Sequence, residues 1–216
     1  MRESQAAEAR PYHHGDLRRA LIDAASRLLE AEGPSALSLR AVAREAGVSP
    51  AAPYHHFKDK GELLDAVAHE GWTLLDQALA AAKAKAPSPG EAMSELGVAY
   101  VCFARENPAL YRVMYDTARD KEALPYDVKE SEDSAYCKVR DTMVEAGADP
   151  NEGHDIELAT VAAWCSAHGL AEMAGFKQFD HLKELCGGER AFFKAVFQHM
   201  GLVPRHVAES EGSIII

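Results

Sequence analysis

Apolar residues recur at every third or fourth position along most of the chain, the spacing of helices with one buried face. Leu17, Leu21, Ile22, Ala25, Leu28 and Leu29 form the first such stripe, and Gly33-Pro34 ends it. Ser38 then stands where an N-cap is needed for a short second helix with Val42, Ala43 and Ala46 inside. Gly47 suits the left-handed residue that closes this helix. A very short third segment follows, with Ser49 as its expected cap and Pro50 at its first position. Asp59 opens a fourth helix, with Glu62 three residues on forming a capping box. Its apolar positions are Leu63, Val67, Leu74, Leu75, Ala78 and Leu79.

The stretch KAKAPSPGE, Lys83 to Glu91, breaks this pattern most sharply and predicts a domain boundary. Beyond it, Met93, Leu96, Tyr100 and Phe103 make another helical stripe. Asn107-Pro108 predicts the cap and first residue of a short helix ending at Met114, and Asp116 to Lys129 reads as a charged loop. A helix is predicted through Tyr136, Val139 and Met143 to Gly147. A long one starts at Asp149-Pro150 and carries Ile156, Ala159, Ala163, Cys165, Ala167 and Met173. The last carries Phe192, Phe193, Val196, Phe197 and Met200. The β-branched runs expected of strands are missing. The predicted fold is therefore all-α, with a three-helix head over residues 14–74, its helix-turn-helix at about 38–57, and a larger helical body over 88–203.

Charge refines this division. The net charge is −11, which taken alone argues against nucleic acid. Residues 1–60, however, hold 9 Lys and Arg against 8 Asp and Glu, so the acidity lies entirely outside the first 60 residues. A near-neutral head on an acidic body fits a small DNA-reading module carried by a domain with another task. No run of 18 apolar residues predicts a membrane span, and the polar start does not read as a signal peptide, so a cytoplasmic location is expected. The four cysteines, Cys102, Cys137, Cys165 and Cys186, are scattered and form no CxxC pair. His13-His14 and His55-His56 are weak candidates as metal ligands, and no metal or cofactor is expected. HDIE, His154 to Glu157, reverses the Glu-x-x-His order of bundle metal sites and is not repeated. With no nucleophile elbow, phosphate loop or HExxH either, an enzyme is not expected.

The third segment carries the sharpest signal. Between Gly47 and Asp59 only about two turns of helix fit, too few to bury a core, so one side stays exposed. Tyr54, His55 and His56 would occupy that side, while Phe57 faces inward. Ala51 and Ala52 would let the segment's start approach a phosphate or base edge closely.

These residues resemble the tetracycline-repressor-like (TetR/AcrR) family of bacterial transcription regulators. The matching pattern runs from Leu28 through G-x-x-x-L-S-L-R-x-V-A-x-x-A-G-V-S, Gly33 to Ser49, to Y-x-H-F-x-x-K-x-x-L-L, Tyr54 to Leu64. The resemblance implies a DNA-binding head, a linking fourth helix and a ligand-binding body that dimerises through its last two helices. It places Pro50, Ala51, Ala52 and His55 closest to bases, and Tyr54, His56, Lys60 and Arg40 at phosphates. Ser38 and Ser49 at the helix starts complete the expected DNA-binding set. Ala52 and Pro53 stand where the family's recognition helix often has threonine and leucine, so an operator sequence does not transfer. Arg2 and Arg10 could act as a minor-groove arm or be idle. In the body, Trp164, His168 and Gly169 resemble the Trp-His-Gly signature of one subgroup of the family's C-terminal domains.

The implied function is a transcriptional regulator, expected to be a repressor, released from a pseudo-palindromic operator by a small molecule. The alternative is a helical scaffold or partner-binding protein without specific DNA recognition. Tyr100, Phe103, Tyr111, Met114, Tyr136, Met143, Trp164 and His168 are the expected ligand lining, which suits a mostly apolar molecule with one or two polar groups. Trp164 and His168 are i and i+4 on one helix face, and plain core packing is the competing reading for both. The dense aromatics of the last helix are expected to meet a second copy of the chain.

Overall fold

The computed structural model describes residues 17–119, 134–149 and 153–201. Its helices are α1 (Leu17–Glu32), α2 (Leu39–Glu45), α3 (Lys60–Lys85), α4 (Pro89–Glu106), α5 (Pro108–Arg119), α6 (Ala135–Glu145), α7 (Gly153–Met173), α8 (Asp180–Leu185) and α9 (Glu189–Met200). Short 3-10 turns cover Ala52–His55 and Lys177–Phe179, and no strand occurs among the described residues. The all-α expectation holds. Arg2, Arg10, His13, His14, Pro150 and the chain beyond 201 lie outside the described residues, as does the part of the expected charged loop from 120 on.

The head forms where local signals predict it. Ser38 Oγ accepts from Ala41 N at 3.1 Å and caps α2. Gly47 takes φ +69, and the following Val48 N–H returns to Ala43 O at 2.9 Å, closing α2 in the left-handed way that glycine allows. Asp59 Oδ1 accepts from Glu62 N at 3.0 Å. Glu62 returns a carboxylate oxygen to Lys58 N at 2.6 Å, one residue before the position of a standard capping box. Leu21, Leu29, Val42, Phe57, Leu63 and Val67 fill the head's core.

The third segment departs from its prediction. It is a single 3-10 turn preceded by Ala51, with no side-chain cap, rather than a helix capped by Ser49. Pro53 supplies the reason. An α-helix entered at Pro50 needs the residue 53 N–H to reach Ser49 O, and proline has none. The backbone instead bonds at i→i−3, Ala52 N to Ser49 O at 3.0 Å and Tyr54 N to Ala51 O at 3.2 Å. The proline ring is buried with Phe57 in the head.

α3, 26 residues and therefore about 39 Å long, runs from this head along the body. Leu74 on it is 36% exposed rather than internal. In the body, α4 lies against α3, α6, α7 and α9. α5 packs tightly on α3: a Cβ at Gly71 would lie 2.6 Å from Met114 Sδ, so only glycine permits this approach. α5 also runs past its predicted end, so Asp116 to Arg119 is helical. α7 is described from Gly153, its expected opening at Pro150 lying outside the described residues, and α8 was not predicted.

The last helix corrects a second expectation. Phe192, Phe193 and Phe197 are 6%, 1% and 4% exposed within one chain, so they are core and not a partner-facing stripe. The ring of Phe197 presses on Gly97, where a Cβ would lie 2.7 Å from it. The helix is held to α4 by Arg190–Glu95 and Lys194–Glu95 ion pairs, each at 2.9 Å.

One contact joins head to body through the start of a helix. Asn107 was expected to cap α5, but its side chain donates to Phe103 O behind it. Glu30 of α1 takes the capping role, accepting from Leu110 N at 2.9 Å and Ala109 N at 3.3 Å. A carboxylate at helix N-terminal N–H groups is the favourable sign. Glu30→Ala should destabilise the protein by about 1 kcal/mol. It should also speed hydrogen exchange at the Ala109 and Leu110 amides more than elsewhere in α5. Unchanged exchange there would mean that Glu30 caps nothing in solution.

Candidate nucleic-acid interface and ligand cleft

The buried Pro53 and Phe57 fix which side of the 3-10 turn faces out. Tyr54 is 53% exposed, and Ser49, Pro50, Ala51 and His55 are exposed beside it. Ala52 and His56 are half-buried. The guanidinium of Arg18 sits 5.4 Å over the Phe57 ring and holds it from the α1 side. Ser38 and Arg40 lie exposed at the start of α2. Lys60 is exposed too, but its Nζ donates to Pro34 O at 2.9 Å, so part of its donor capacity is used within the head.

Two further cations belong to this surface and were missed as site residues. Arg44 is exposed on α2, one turn beyond Arg40, and Lys58 is exposed between the turn and α3. Among the described residues neither side chain has an ion-pair partner, whereas neighbouring Arg27 is paired with Glu45 at 3.0 Å. The i, i+4 spacing of Arg40 and Arg44 was the available signal. The head therefore presents small residues, aromatic hydroxyl and imidazole groups, and unpaired cations together, which is what reading base edges between phosphate contacts requires.

In the body, four of the eight expected lining residues meet. Tyr100 of α4, Tyr111 of α5, and Trp164 and His168 of α7 form one aromatic cluster. Tyr115 and Trp72 join it, the latter edge-on to Tyr115 at 5.3 Å. Tyr100 Oη lies 3.1 Å from Tyr111 Oη and 3.3 Å from His168 Nδ1. It also hydrogen-bonds Tyr115, which accepts from Trp164 Nε1 at 3.0 Å. Burial raises the Tyr100 and Tyr111 phenols well above their ordinary range and lowers the His168 imidazole, although Glu172 nearby opposes the latter. Tyr100, Tyr111 and His168 are therefore uncharged at neutral pH.

The other four do not join it. Met114 packs on Gly71 in the α3–α5 contact, and Met143 meets the Thr160 hydroxyl at 3.8 Å between α6 and α7. The Tyr136 hydroxyl donates to Glu157, and Phe103 is buried in the α4 core. Trp72 and Tyr115 are the residues that the sequence reading passed over. Ending α5 at Met114 excluded Tyr115, although Tyr111 and Tyr115 share the i, i+4 spacing of Trp164 and His168.

Two spaces border the cluster. An apolar cavity of about 20 Å³ lies among Leu79, Leu96, Tyr100, Trp164 and Phe197, room for a single water. On the other side an open cleft of about 500 Å³ is lined by Ala104, Arg105, Pro108, Tyr111, Arg112, Tyr115, Asp116, His168, Ala171, Glu172 and Gly175. The cleft is the size of a small-molecule site and more polar than the sequence reading expected.

A helix-turn-helix head with exposed cations, joined by one long helix to a body that holds a ligand-sized cleft, defines a two-domain DNA-binding regulator. The comparisons with known proteins specify the family. Residues 21–67 match the bacterial regulatory proteins of the tetR family, and residues 93–200 match the tetracyclin repressor-like C-terminal domain. The chain belongs to this family and is a DNA-binding transcriptional regulator, not an enzyme. Its fold is similar to that of a Rhodococcus sp. RHA1 protein of unknown function, at 32% identity and a TM-score of 0.72 over 90% of this chain and 100% of that one. The TetR family transcriptional regulator PfmR from Thermus thermophilus is 20% identical, with a TM-score of 0.57 over 86% and 94%. The transcriptional regulator SCO7222, a TetR from Streptomyces coelicolor, is 20% identical, with a TM-score of 0.61 over 86% and 97%. Family members bind operator DNA and dimerise. Among the described residues no helix is long and apolar enough to cross a membrane.

Proposed function

We propose that this regulator is a homodimeric repressor that leaves its operator when a small molecule enters the cleft between α4, α5 and α7. The observation that carries the DNA-binding side is the outward face of the recognition turn, where Tyr54 and His55 stand exposed over the buried Pro53 and Phe57. Pro50, Ala51, Ala52 and His55 approach base edges, and Arg40, Tyr54, His56 and Lys60 take phosphates, joined by Arg44 and Lys58. Arg40→Ala and Lys60→Ala should each weaken binding to all operator sequences alike. Each should also flatten the slope of log affinity against log salt by about one unit. Fluorescence anisotropy over a salt series measures both effects. A changed base preference at constant slope would assign these side chains to bases instead.

A different face carries the dimer. With the α9 phenylalanines internal, the outer side of α7 is the candidate: Leu158 and Val161 are 55% and 48% exposed, with Ala162 and Cys165 exposed beside them. Gly169 continues this stripe, and nothing in its own chain lies within 4 Å of where its Cβ would be. Small residues at this spacing let the same helix of a second copy cross closely about a two-fold axis. α9 contributes its outer edge, including Met200, 41% exposed. Such a dimer reads a pseudo-palindrome whose half-sites lie about one helical turn apart, or a multiple of that.

Cleft and head are joined by two elements. α3 leads from the head past Trp72 to the Lys83–Glu145 ion pair at 2.9 Å. α5 lines the cleft with Pro108, Tyr111 and Tyr115 and is bonded at its first turn to Glu30 of the head. A ligand that shifts α5 or α3 changes the spacing of the two heads. Linkage then requires operator DNA to weaken ligand binding by the same factor.

A further inference from the structure

Among the uncharged groups that line the cleft, His168 offers its occupant a ring nitrogen, and the residues behind it determine whether that nitrogen donates or accepts a hydrogen bond. The hydroxyls of Tyr111 and Tyr100 both converge on His168 Nδ1, at 2.5 and 3.3 Å. Both phenols remain protonated, because burial opposes their ionisation. The imidazole is neutral, so one ring nitrogen carries a proton and the other a lone pair. A phenol O–H is the more acidic donor and an imidazole nitrogen the more basic acceptor, so the favoured arrangement runs from the nearer hydroxyl, Tyr111, into Nδ1, with Tyr100 bonded to the neighbouring tyrosine hydroxyls. The proton then lies on Nε2. His168 lines the cleft, and among the described residues Nε2 has no hydrogen-bond partner.

The charged groups of the cleft narrow the class further. Arg105 is tied to Glu189 at 3.2 Å. Arg112, Asp116 and Glu172 have no ion-pair partner among the described residues, so carboxylates outnumber cations in the unpaired set. An anion entering beside His168 meets Glu172, one helical turn along α7, without a matching excess of positive charge. A cationic group would suit the carboxylates but cannot itself accept from Nε2–H. Ala104, Pro108, Ala171 and Gly175 leave apolar wall for the rest of the molecule.

We infer that the effector is a neutral compound with an apolar part that presents a carbonyl-type oxygen to the Nε2–H of His168. The inference rests on the cleft being the effector site. A ligand that donates instead forces the proton to Nδ1, so the Tyr111–His168 bond must reverse and its favoured phenol-to-imidazole direction is lost, leaving the tyrosine hydroxyls to donate to one another. That loss corresponds to about tenfold weaker binding.

The chain's two tryptophans, Trp72 and Trp164, both lie at the cluster, so their indole N–H signals in a ¹⁵N-labelled full-length dimer report on the cleft. The probes are four compounds of similar size: acetophenone, ethylbenzene, benzoate and benzylammonium. Acetophenone should shift the indole signals with an affinity at least about tenfold above the other three. In His168→Phe acetophenone and ethylbenzene should bind alike, whereas His168→Gln, which keeps a donor near the Nε2 position, should retain the preference. The ¹⁵N shifts of His168 in the free protein should be those of the Nε2–H tautomer. An Nδ1–H tautomer, or tightest binding by benzoate or benzylammonium, overturns the inference and leaves the cleft in place as the site. If none of the four moves either indole signal at millimolar concentration, the cleft reading itself fails, and the inference with it.

Discussion

Replacing Phe197 by alanine is expected to lower the stability of the protein by about 3–5 kcal/mol without dissociating the dimer. The ring is 4% exposed and rests directly on Gly97 of α4. Its neighbours around the small cavity include Leu79, Leu96 and Ala163, which belong to α3, α4 and α7. Truncation would enlarge a space that is already incompletely filled, and helices fixed on several sides relax little into it. Thermal denaturation should show a midpoint lower by roughly 10 °C for a domain of this size. Sedimentation at micromolar concentration should still show a dimer. The Gly97→Val single variant should also be destabilised, because its side chain would meet the ring at the 2.7 Å approach. Combined with Phe197→Ala it should recover part of the loss, the signature of direct contact in a double-mutant cycle. If Phe197→Ala instead produced well-folded monomers, the ring would belong to the subunit interface, as the sequence pattern first suggested.

The second large effect is expected at Val161. Aspartate there would carry two charges into a two-fold interface, one from each copy, and neither has a partner nearby on α7's exposed stripe. Burying such charges costs far more than the packing of the two valines contributes, so the dimer should weaken at least about a hundredfold. Micromolar protein should then sediment as a monomer with its helical content intact, since Val161 is 48% exposed in the single chain. Operator affinity should fall with it, because each half-site would be bound separately. Cys165, exposed one turn along the same stripe, provides an independent reading. It should be protected from alkylation in the wild-type dimer and react freely in Val161→Asp. A variant that remains dimeric with protected Cys165 would move the interface to another face.

The head was largely legible in the sequence because its determinants are local. Ser38, Gly47 and Asp59 each act on backbone within about one turn, and each does in the structure what its position predicted. Phe57 was legible as core for the same reason: a segment this short has one inward side. The 3-10 form of the turn was in principle readable as well. Pro53 lacks the N–H that an α-helix from Pro50 requires, a constraint that outweighs the favourable placing of Pro50 at N1.

The body was legible as helices and less so as a site. Periodicity shows which face of a helix is apolar but not what covers it. Thus the phenylalanines of α9 and the stripe of α7 look alike in sequence, although one is core and the other is open. Which partner each face meets depends on helix packing, set here by close approaches such as Gly97 on Phe197 and Gly71 on Met114. The capping of α5 by Glu30, 80 residues before Leu110, carries no local signal, since the nearer Asn107 was the better candidate on spacing alone. The convergence of Tyr100 and Tyr111 on His168 spans separations of 68 and 57 residues. What the sequence by itself determined was the all-α class with most of its helices, the DNA-reading head and the family. Only the tertiary structure decided which aromatics form the cluster, which apolar helix face is left exposed and where the cleft opens, because these depend on contacts between helices that local spacing does not encode.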